Sequence, residues 1–530
     1  MRVIATASGQ RGARVGQRVT VGGRDAVPLR SLRWHAMVPL GRATLAACAE
    51  RIATPSYDRA RLTEGVVHIG VGGFHRAHQA MYHERLMSRG EALDWAIRGL
   101  GVLEADRRMK DVMDAQDGLY TLIVKHPDGT LEPAAMGAIV GYVLAPDDPQ
   151  AAIEAMAAAS TRIVSLTVTE GGYNLHHVTG EFDADAPSIV ADLRPGATPR
   201  TTFGLVTEAL RRRRDRGLGA FTVMSMDNLE GNGHLARRAF TAFARLRDPA
   251  LGAWVGAHVR FPNSMVDRIT PQTTDADREA LRERFGVDDR WPVVCEPYTQ
   301  WVLEDDFACG RPPYEHAGVQ VVTDVRPYEL MKLRLLNAGH QALGYFAYLA
   351  GYRYVDEAMR DPLLRRFVRA YLDEEGTPAV PPVPSIDLDE YKDALIERFS
   401  SPAVRDTIPR LCAESSDRIP KFLLPVVRER LAAGGEIKRS AAVLAAWARY
   451  AEGVDEQGEP IAVVDRLSDR LTAAARRQRE DPDAFIADRE LFGGLADDER
   501  FVAAYRWALR SLYERGARAT LERMGAPDDS

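Results

Sequence analysis

The sequence predicts an N-terminal α/β domain followed by a mainly α-helical C-terminal domain. Three observations support this fold class. A short apolar run leads into closely spaced glycines and a helical pattern near residue 70, and further strand-like runs before residue 270 end in polar residues. From about Tyr328 to Met524 the pattern is predominantly helical. The length of 530 residues also exceeds one ordinary core, so two domains are expected.

The composition narrows the class of protein. Hydrophobic residues make up 45% and charged residues 27%, as in soluble globular proteins. The net charge of -6 gives no reason to expect nucleic acid or a membrane as partner, and no window is apolar over the length of a membrane span. The cysteines lack CxxC spacing and no HExxH pattern occurs. We therefore expect a cytoplasmic protein with neither a disulfide framework nor a metal centre.

The first 36 residues differ from the rest of the chain. Up to His35 they contain seven arginines and one acid, without clear periodicity. We expect an extension at residues 1–36 that is non-native or disordered, with Met37 opening the protein proper; a targeting segment is the alternative. The predicted domains are then 37–325, of α/β type, and 326–530, helical.

The first strand and turn lie in the segment GVVHIGVGGFHRAHQ. The apolar run Val66–Ile69 reads as a strand, Gly70 and Gly72 permit a tight turn and close backbone approach, and a helical pattern follows. This order is typical of the opening of a Rossmann-type dinucleotide-binding domain, with the pyrophosphate at the start of the helix. His75 occupies the third fingerprint position instead of glycine. The candidate cofactor-binding residues are Ile69, Gly70, Val71, Gly72, Gly73, Phe74, His75 and Arg76.

A second strand, DWAIRGLGV, is followed by Glu104 and Asp106. An acid at this position can bind the adenosine ribose hydroxyls of NAD and repel the extra phosphate of NADP. Arg107 and Arg108 come next and could instead receive that phosphate. The sequence therefore favours NAD over NADP, with Asp106 as the residue that selects between the two cofactors.

Three later strand-like runs end in polar residues. They are RIVSLTVTE, GAFTVMSMDN and RFPNSMVDRIT. Ligands of open parallel sheets bind beyond the carboxyl ends of the strands, although a single acid there is more often a cap than a catalyst. The candidates by position are Glu170, Asp227, Asn228 and Asp267.

The helical part opens with YELMKLRLLNAGHQALGYFAYLAGY, which contains one of only 6 lysines among 69 basic residues. At about 100° per residue, Glu329, Lys332, Asn337 and His340 fall within an arc of roughly 140° on an otherwise apolar helix. One interpretation is a core helix whose polar groups are satisfied by neighbours. The other is a general base, because a desolvated lysine, unlike arginine, can lose its proton near neutrality.

Taken with the other motifs, the sequence resembles the mannitol dehydrogenase family of long-chain, polyol-specific dehydrogenases. The resemblance spans about Val66 to Pro425 and rests on GVGGFHRAH, TEGGY, SMDNLEGNG, KLRLLNAGH and FSSPAVRDTIPRLCAESSDRIPKFLLP. It implies a Rossmann-type domain joined to a helical one, and metal-independent hydride transfer between NAD and a polyol or ketose. The stretch ESSDRIP departs from the family's usual DGS pattern before the cation and proline, which leaves the fine substrate choice open.

The resemblance also implies roles for individual residues. Lys332 would be the general base, His340 would orient substrate and lysine, and Asn228 with Asn337 would form an oxyanion hole. The implied substrate-binding residues are Glu170, Asp267, Arg410 and Arg418, and Glu329 falls where the family has an acid near the buried proton path.

The resemblance favours interconversion of D-mannitol and D-fructose by a monomer, with an oligomer as the alternative. D-arabinitol 4-dehydrogenase and fructuronate reductase are alternatives within the family. A nucleotide-binding regulator without turnover is an alternative of another class, against which the intact Lys332, Asn337 and His340 argue.

Overall fold

The computed structural model describes residues 37–175 and 181–525. This part of the chain divides into two compact units, 37–326 and 327–525. The first combines strands with helices and the second is almost wholly helical, which confirms the predicted fold class. The predicted N-terminal extension lies outside the described residues.

The strands belong to the first unit. They are β1 (Val38–Pro39), β2 (Glu64–Ile69), β3 (Ala96–Gly101), β4 (Tyr120–Lys125), β5 (Leu131–Met136), β6 (Ile139–Leu144), β7 (Ile163–Leu166), β8 (Thr222–Ser225), β9 (Ser264–Asp267), β10 (Val287–Asp288), β11 (Val293–Cys295), β12 (Gln300–Glu304) and β13 (Gln320–Val322). Its helices are α1 (Leu45–Ala49), α2 (Gly73–Ala77), α3 (Gln79–Met87), α4 (Arg107–Ala115), α5 (Pro149–Ala157), α6 (Pro187–Leu193), α7 (Thr202–Asp215), α8 (Asn232–Arg247), α9 (Pro249–His258) and α10 (Asp275–Phe285).

The main sheet has the strand order β6-β3-β2-β7-β8, and every neighbouring pair is parallel. Alternate residues of β2 enter different cores: Val67 and Ile69 face one, and Val66 faces the other. The sheet is therefore buried on both faces, as parallel sheets are. From β2 the chain continues to β3 and β6 on one side, and β7 and β8 lie on the other. The turn after β2 thus lies at the point where the strand order reverses.

Two of the three later strand predictions are confirmed in this sheet, as β7 and β8. The third is wrong in its placement. The strand that ends at Asp267 is β9, which pairs antiparallel with β12 in a separate sheet of order β13-β12-β9. Conversely, β6, with the sequence IVGYVL, joins the main sheet without having been predicted. The other sheets have the orders β11-β4-β5 and β1-β10.

The second unit is built from helices around α12 and α19, which pack on each other. All residues of α12 are buried. The α-helices are α11 (Arg326–Met331), α12 (Ala338–Leu349), α13 (Val355–Arg360), α14 (Pro362–Tyr371), α15 (Leu388–Phe399), α16 (Ile408–Cys412), α17 (Ser415–Phe422), α18 (Leu424–Ala432), α19 (Lys438–Ala451), α20 (Ser468–Arg477), α21 (Arg489–Phe492) and α22 (Glu499–Gly525). Two π-helical segments, Lys332–Asn337 and Leu372–Gly376, interrupt this pattern. No helix in the described residues is both long and apolar enough to cross a membrane.

Buried histidines lie behind the turn that follows β2. The two ring nitrogens of His68 contact the hydroxyls of Ser165 and Thr167 at 2.8 and 2.9 Å. Burial lowers the pKa of His68 to about 3 and that of His83 to about 4. Both side chains are therefore neutral near pH 7.

We predict that these histidines make the protein acid-sensitive. In the unfolded chain a histidine binds a proton below about pH 6.5, whereas folded His68 does not. Stability is thus fully present above that pH and is lost as the pH falls, by about 1.4 kcal/mol per pH unit for each such group. Thermal unfolding of His68→Gln between pH 7 and pH 4 should show a shallower fall than the wild type. His258→Gln, at an exposed position, is the control; equal slopes for all three proteins would contradict the prediction.

Candidate active site

The turn after β2 requires glycine at its first position. Gly70 has φ of +93°, and a Cβ there would lie 2.3 Å from the carbonyl oxygen of Thr167. The N–H of Gly70 donates to the carbonyl of Leu100 at 3.1 Å, and the carbonyl of Gly70 accepts from the Thr167 hydroxyl at 2.6 Å. Neighbouring strands on both sides therefore hold this turn at the switch point of the sheet.

The next glycine, Gly72, faces open space. The nearest atom to a Cβ at this position would be the carbonyl oxygen of Gly70, at 3.8 Å. The backbone is thus uncovered beside a tight turn at the carboxyl end of a parallel strand, which is where dinucleotide pyrophosphates lie in this kind of sheet. The residues present fit a dinucleotide.

The third fingerprint position shows how a histidine replaces glycine. The ring of His75 stacks on that of His68, with centroids 3.5 Å apart and planes 9° from parallel. Flat rings thus allow α2 to approach the strand closely. Arg76 is also turned inward, donating to the carbonyls of Gly72 and Trp291. Of the remaining predicted cofactor residues, Ile69 and Val71 are buried and Gly73 and Phe74 are half-buried.

After β3, the Asp106 carboxylate accepts the backbone N–H groups of Val102 and Leu103, each at 2.9 Å. It is therefore held at the end of the strand. The alternative cations are already engaged: Arg107 pairs with Asp147 at 2.6 Å, and Arg108 lies 4.2 Å from the ring centre of Trp291. This arrangement favours a carboxylate over a guanidinium as the group presented at this edge.

Asp227 anchors the turn that carries TEGGY. It accepts the N–H of Val168 at 3.2 Å, the N–H of Thr169 at 2.9 Å and the hydroxyl of Tyr173 at 2.8 Å. Thr169 has φ of +64°, a conformation that costs about 1–3 kcal/mol for a residue other than glycine. Glu170 opens the 3-10 turn Glu170–Tyr173 that follows. Asp227, a candidate by position alone, therefore has a definite structural role.

Asn232 was not predicted, although it stands in the motif SMDNLEGNG. Its side-chain amide donates to the carbonyls of Asp227 and Ser264 at 3.0 and 2.8 Å, and accepts the N–H of Ser264 at 2.9 Å. It thus fastens the loop that carries the exposed Asn228 to β9, whose last residue is the buried Asp267. The asparagine beside a glycine was the available signal.

The lysine helix is not regular. Lys332 is only 6% exposed and begins a π-helical segment that ends at Asn337. Hydrogen bonds of a π-helix span five residues instead of four, so each residue turns the chain through a smaller angle than in an α-helix. Lys332 and Asn337 therefore lie on one face, and with His340 they fall within an arc of roughly 60°. The prediction of a continuous α-helix is wrong at this segment, and the difference brings the polar groups closer together. Glu329, three residues before the lysine, is buried as well.

Two further observations concern this face. The Oδ1 atom of Asn337 is buried and accepts no hydrogen bond from the described part of the chain. Since the oxygen and nitrogen of an amide exchange on a 180° rotation, this position can offer either a donor or an acceptor to a ligand. The ring of His340 stacks on Phe399 at 4.3 Å, which fixes its plane.

The predicted cations are tied to this region through Asp406. Arg410 donates from Nε and Nη2 to the Asp406 carboxylate, and Arg418 donates to the carbonyl of Arg410 at 2.9 Å. Burial acts to raise the pKa of Asp406, but hydrogen bonds and charge from Arg410, with a further contribution from His340, lower it overall. Asp406 was not predicted, although its opposite charge four residues before Arg410 was an available signal.

Potential metal ligands are dispersed in residues 37–175 and 181–525. No group of three or more His, Cys, Asp or Glu side chains there could hold a metal ion. The cysteines in these ranges, Cys48, Cys295, Cys309 and Cys412, are free.

Comparison with known proteins agrees with this geometry. The family model of the mannitol dehydrogenase Rossmann domain matches residues 64–316, and that of the mannitol dehydrogenase C-terminal domain matches 324–513. A mannitol 2-dehydrogenase of Aspergillus fumigatus is 46% identical over 483 residues, 90% of this chain and 96% of that protein.

Solved structures are similar over most of the chain. A ternary complex of Pseudomonas fluorescens mannitol 2-dehydrogenase with NAD and D-mannitol is 44% identical, with a TM-score of 0.82 over 92% of this chain and 99% of that one. A substrate-free D-sorbitol dehydrogenase is 37% identical, with a TM-score of 0.85 and coverage of 91% and 100%. The resemblance noted in the sequence is confirmed, and the chain belongs to the mannitol dehydrogenase family.

Proposed function

We propose that the protein is an NAD-dependent polyol dehydrogenase that interconverts a polyol and a ketose, with D-mannitol and D-fructose as the pair. The observation that carries the proposal is the buried Lys332 at the start of a π-helical segment that ends at Asn337, with the buried His340 three residues further on. The similar enzyme solved with NAD and D-mannitol supports both the cofactor and the substrate class.

When bound, NAD would supply the acceptor for the hydride that leaves the alcohol carbon. The residues of this chain that would hold it are those of the turn after β2. Gly70 fixes the tight bend and Gly72 leaves room for the pyrophosphate. Asp106, held by two backbone N–H groups, offers its remaining lone pairs to the ribose hydroxyls.

The chain must also remove the hydroxyl proton as hydride leaves. Lys332 accepts this proton in its neutral form. The alkoxide character that develops is stabilised by the amide of Asn337, and Asn228 of the N-terminal unit is the second proposed donor. Fixed donors of this type are typically worth about 2.7–4 kcal/mol each in the transition state. His340, whose plane is set by Phe399, orients the substrate and the lysine.

The remaining assignments follow the family pattern. Glu329 lies three residues, about one turn, before the lysine. It is proposed to pass the proton that Lys332 accepts on towards solvent. Arg410 and Arg418 are proposed to bind substrate hydroxyls together with Glu170 and Asp267. The bidentate contact with Asp406 leaves one face of Arg410 for this purpose, because a guanidinium has five N–H donors.

A panel of polyols and ketoses with NAD and NADP tests the proposal. D-mannitol with NAD should give the highest kcat/KM. The rate is measured from the absorbance of the reduced cofactor. Preference for D-arabinitol, or strict dependence on a substrate carboxylate as in a uronate reductase, would replace the proposed substrate. No turnover with any member would favour a nucleotide-binding regulator.

We predict that Lys332→Ala abolishes most polyol oxidation and leaves NAD affinity nearly unchanged. Loss of a general base typically lowers the rate by about 10²–10⁴-fold. Wild-type oxidation should rise with pH, because the neutral amine is the active form, and Lys332→Arg should not restore activity. Lys125→Ala removes a half-buried lysine of the N-terminal unit, one paired with Asp277, and is the matched control. More than about a tenth of wild-type turnover in Lys332→Ala, with the same pH profile, would make His340 the base to test.

A second prediction concerns the cofactor. Asp106→Asn keeps an oxygen for the N–H groups of Val102 and Leu103 but removes the charge, so the preference for NAD over NADP should narrow by about tenfold or more. The ratio of kcat/KM values for the two cofactors measures this. Glu104→Gln, which changes an exposed carboxylate beside it, should leave the ratio unchanged. Wild-type preference for NADP would instead identify Arg107 or Arg108 as the residue that binds the ribose phosphate and selects the cofactor.

A third prediction concerns metals. Because the proposed proton acceptor and alkoxide donors are side chains, oxidation should survive prolonged incubation with EDTA or 1,10-phenanthroline followed by desalting. The measurement is turnover together with the metal content of the treated protein. Loss of turnover that added zinc restores would contradict the assignment of Lys332.

A further inference from the structure

The π-helical segment of the lysine helix is contacted from another helix at one of its backbone carbonyls. The N–H of Ala338, just after the segment, donates to the carbonyls of Leu333 and Leu335, five and three residues back, and a regular α-helix continues from Ala338. The carbonyl of Arg334 lies between these two acceptors in the chain.

A tyrosine from another helix supplies a donor at this position. The hydroxyl of Tyr371, the last residue of α14, donates to the carbonyl of Arg334 at 3.0 Å. Tyr371 is fully buried. Burial raises the pKa of Tyr371, so the hydroxyl keeps its proton and remains a donor.

The residues after Tyr371 pack closely on the same segment. They form the second π-helical segment, Leu372–Gly376. A Cβ at Gly376 would lie 2.9 Å from Cδ2 of Leu335 and 3.4 Å from the carbonyl oxygen of Arg334. An alanine at this position would therefore force the buried Leu335 side chain to shift. The segment is itself anchored, because the carboxylate of Glu375 accepts the N–H of Ser440 at 2.8 Å.

We propose that Tyr371 is a positioning residue of the active site: its hydroxyl, bound to the carbonyl of Arg334, holds the π segment that aligns Asn337 with Lys332. Without the enlarged turn the two side chains, five positions apart, would point about 140° away from each other. Gly376 supports the same geometry by letting the second segment reach the first. This inference rests on the proposed function of Lys332 and Asn337.

The test is Tyr371→Phe in the full-length enzyme, which removes only the hydroxyl. Loss of one buried hydrogen bond to the segment should lower kcat for polyol oxidation by about tenfold and leave KM for NAD unchanged. The midpoint of the kcat-pH profile should also shift, because the amide and imidazole beside the lysine move. Tyr505→Phe is the matched control: this tyrosine is equally buried in the same unit, but its hydroxyl donates to the side chain of Gln478.

A second variant tests the geometry of the π segment without removing the Tyr371 hydroxyl. Gly376→Ala keeps the hydroxyl but presses on Leu335, and should lower kcat and shift the pH profile in the same way. If Tyr371→Phe loses only as much kcat as Tyr505→Phe, with the wild-type pH profile, the positioning role is overturned. The same holds if Gly376→Ala is kinetically normal. Failure of the proposed function looks different, since Lys332→Ala would then retain turnover whatever the tyrosine variants do.

Discussion

The enlarged helical turn between Lys332 and Asn337 is the constraint on which the proposed chemistry depends. A lysine within an apolar helix is costly to bury unless it is paired or neutral. Placing it in a π segment instead of an α-helix brings an amide and an imidazole onto its side of the helix. Such segments are rare and occur frequently at functional sites. Their irregular hydrogen-bond pattern must be stabilised by contacts from other parts of the chain. Here Tyr371 and Gly376 provide those contacts.

The N-terminal unit concentrates unusual backbone at the carboxyl edge of its parallel sheet. Gly70 and Thr169 both have positive φ, and both follow strands of the main sheet. Each is stabilised by a side chain from close by: the Thr167 hydroxyl donates to Gly70, and the Asp227 carboxylate accepts from Thr169. Strained conformations persist only where surrounding contacts determine them. The sheet therefore supports loops at the edge where ligands of open parallel sheets bind.

Several acidic residues serve as anchors for backbone N–H groups. Asp106, Asp227 and Glu375 each accept two of them. A carboxylate has about four lone-pair positions, so it can hold two backbone groups and still accept from a ligand or another side chain. An acid at a strand end is consequently compatible with both a structural and a binding role. Asp106 combines the two in the proposed enzyme.

Much of the fold and part of the site followed from the sequence. The glycine turn, the strands β2, β3, β7 and β8 and the change to helices near Tyr328 have local signatures in hydrophobic periodicity and glycine spacing. The proposed roles of Lys332 and His340 came from the family resemblance, which rests on motifs that span the chain. Only tertiary structure decided the rest. The sheet that holds Asp267 depends on pairing with β12, and the approach of Asp406 to His340 depends on tertiary packing. The π segment depends on Tyr371, 37 residues beyond the carbonyl that it binds. Such contacts join distant positions, and a single sequence carries no local periodic signal for them.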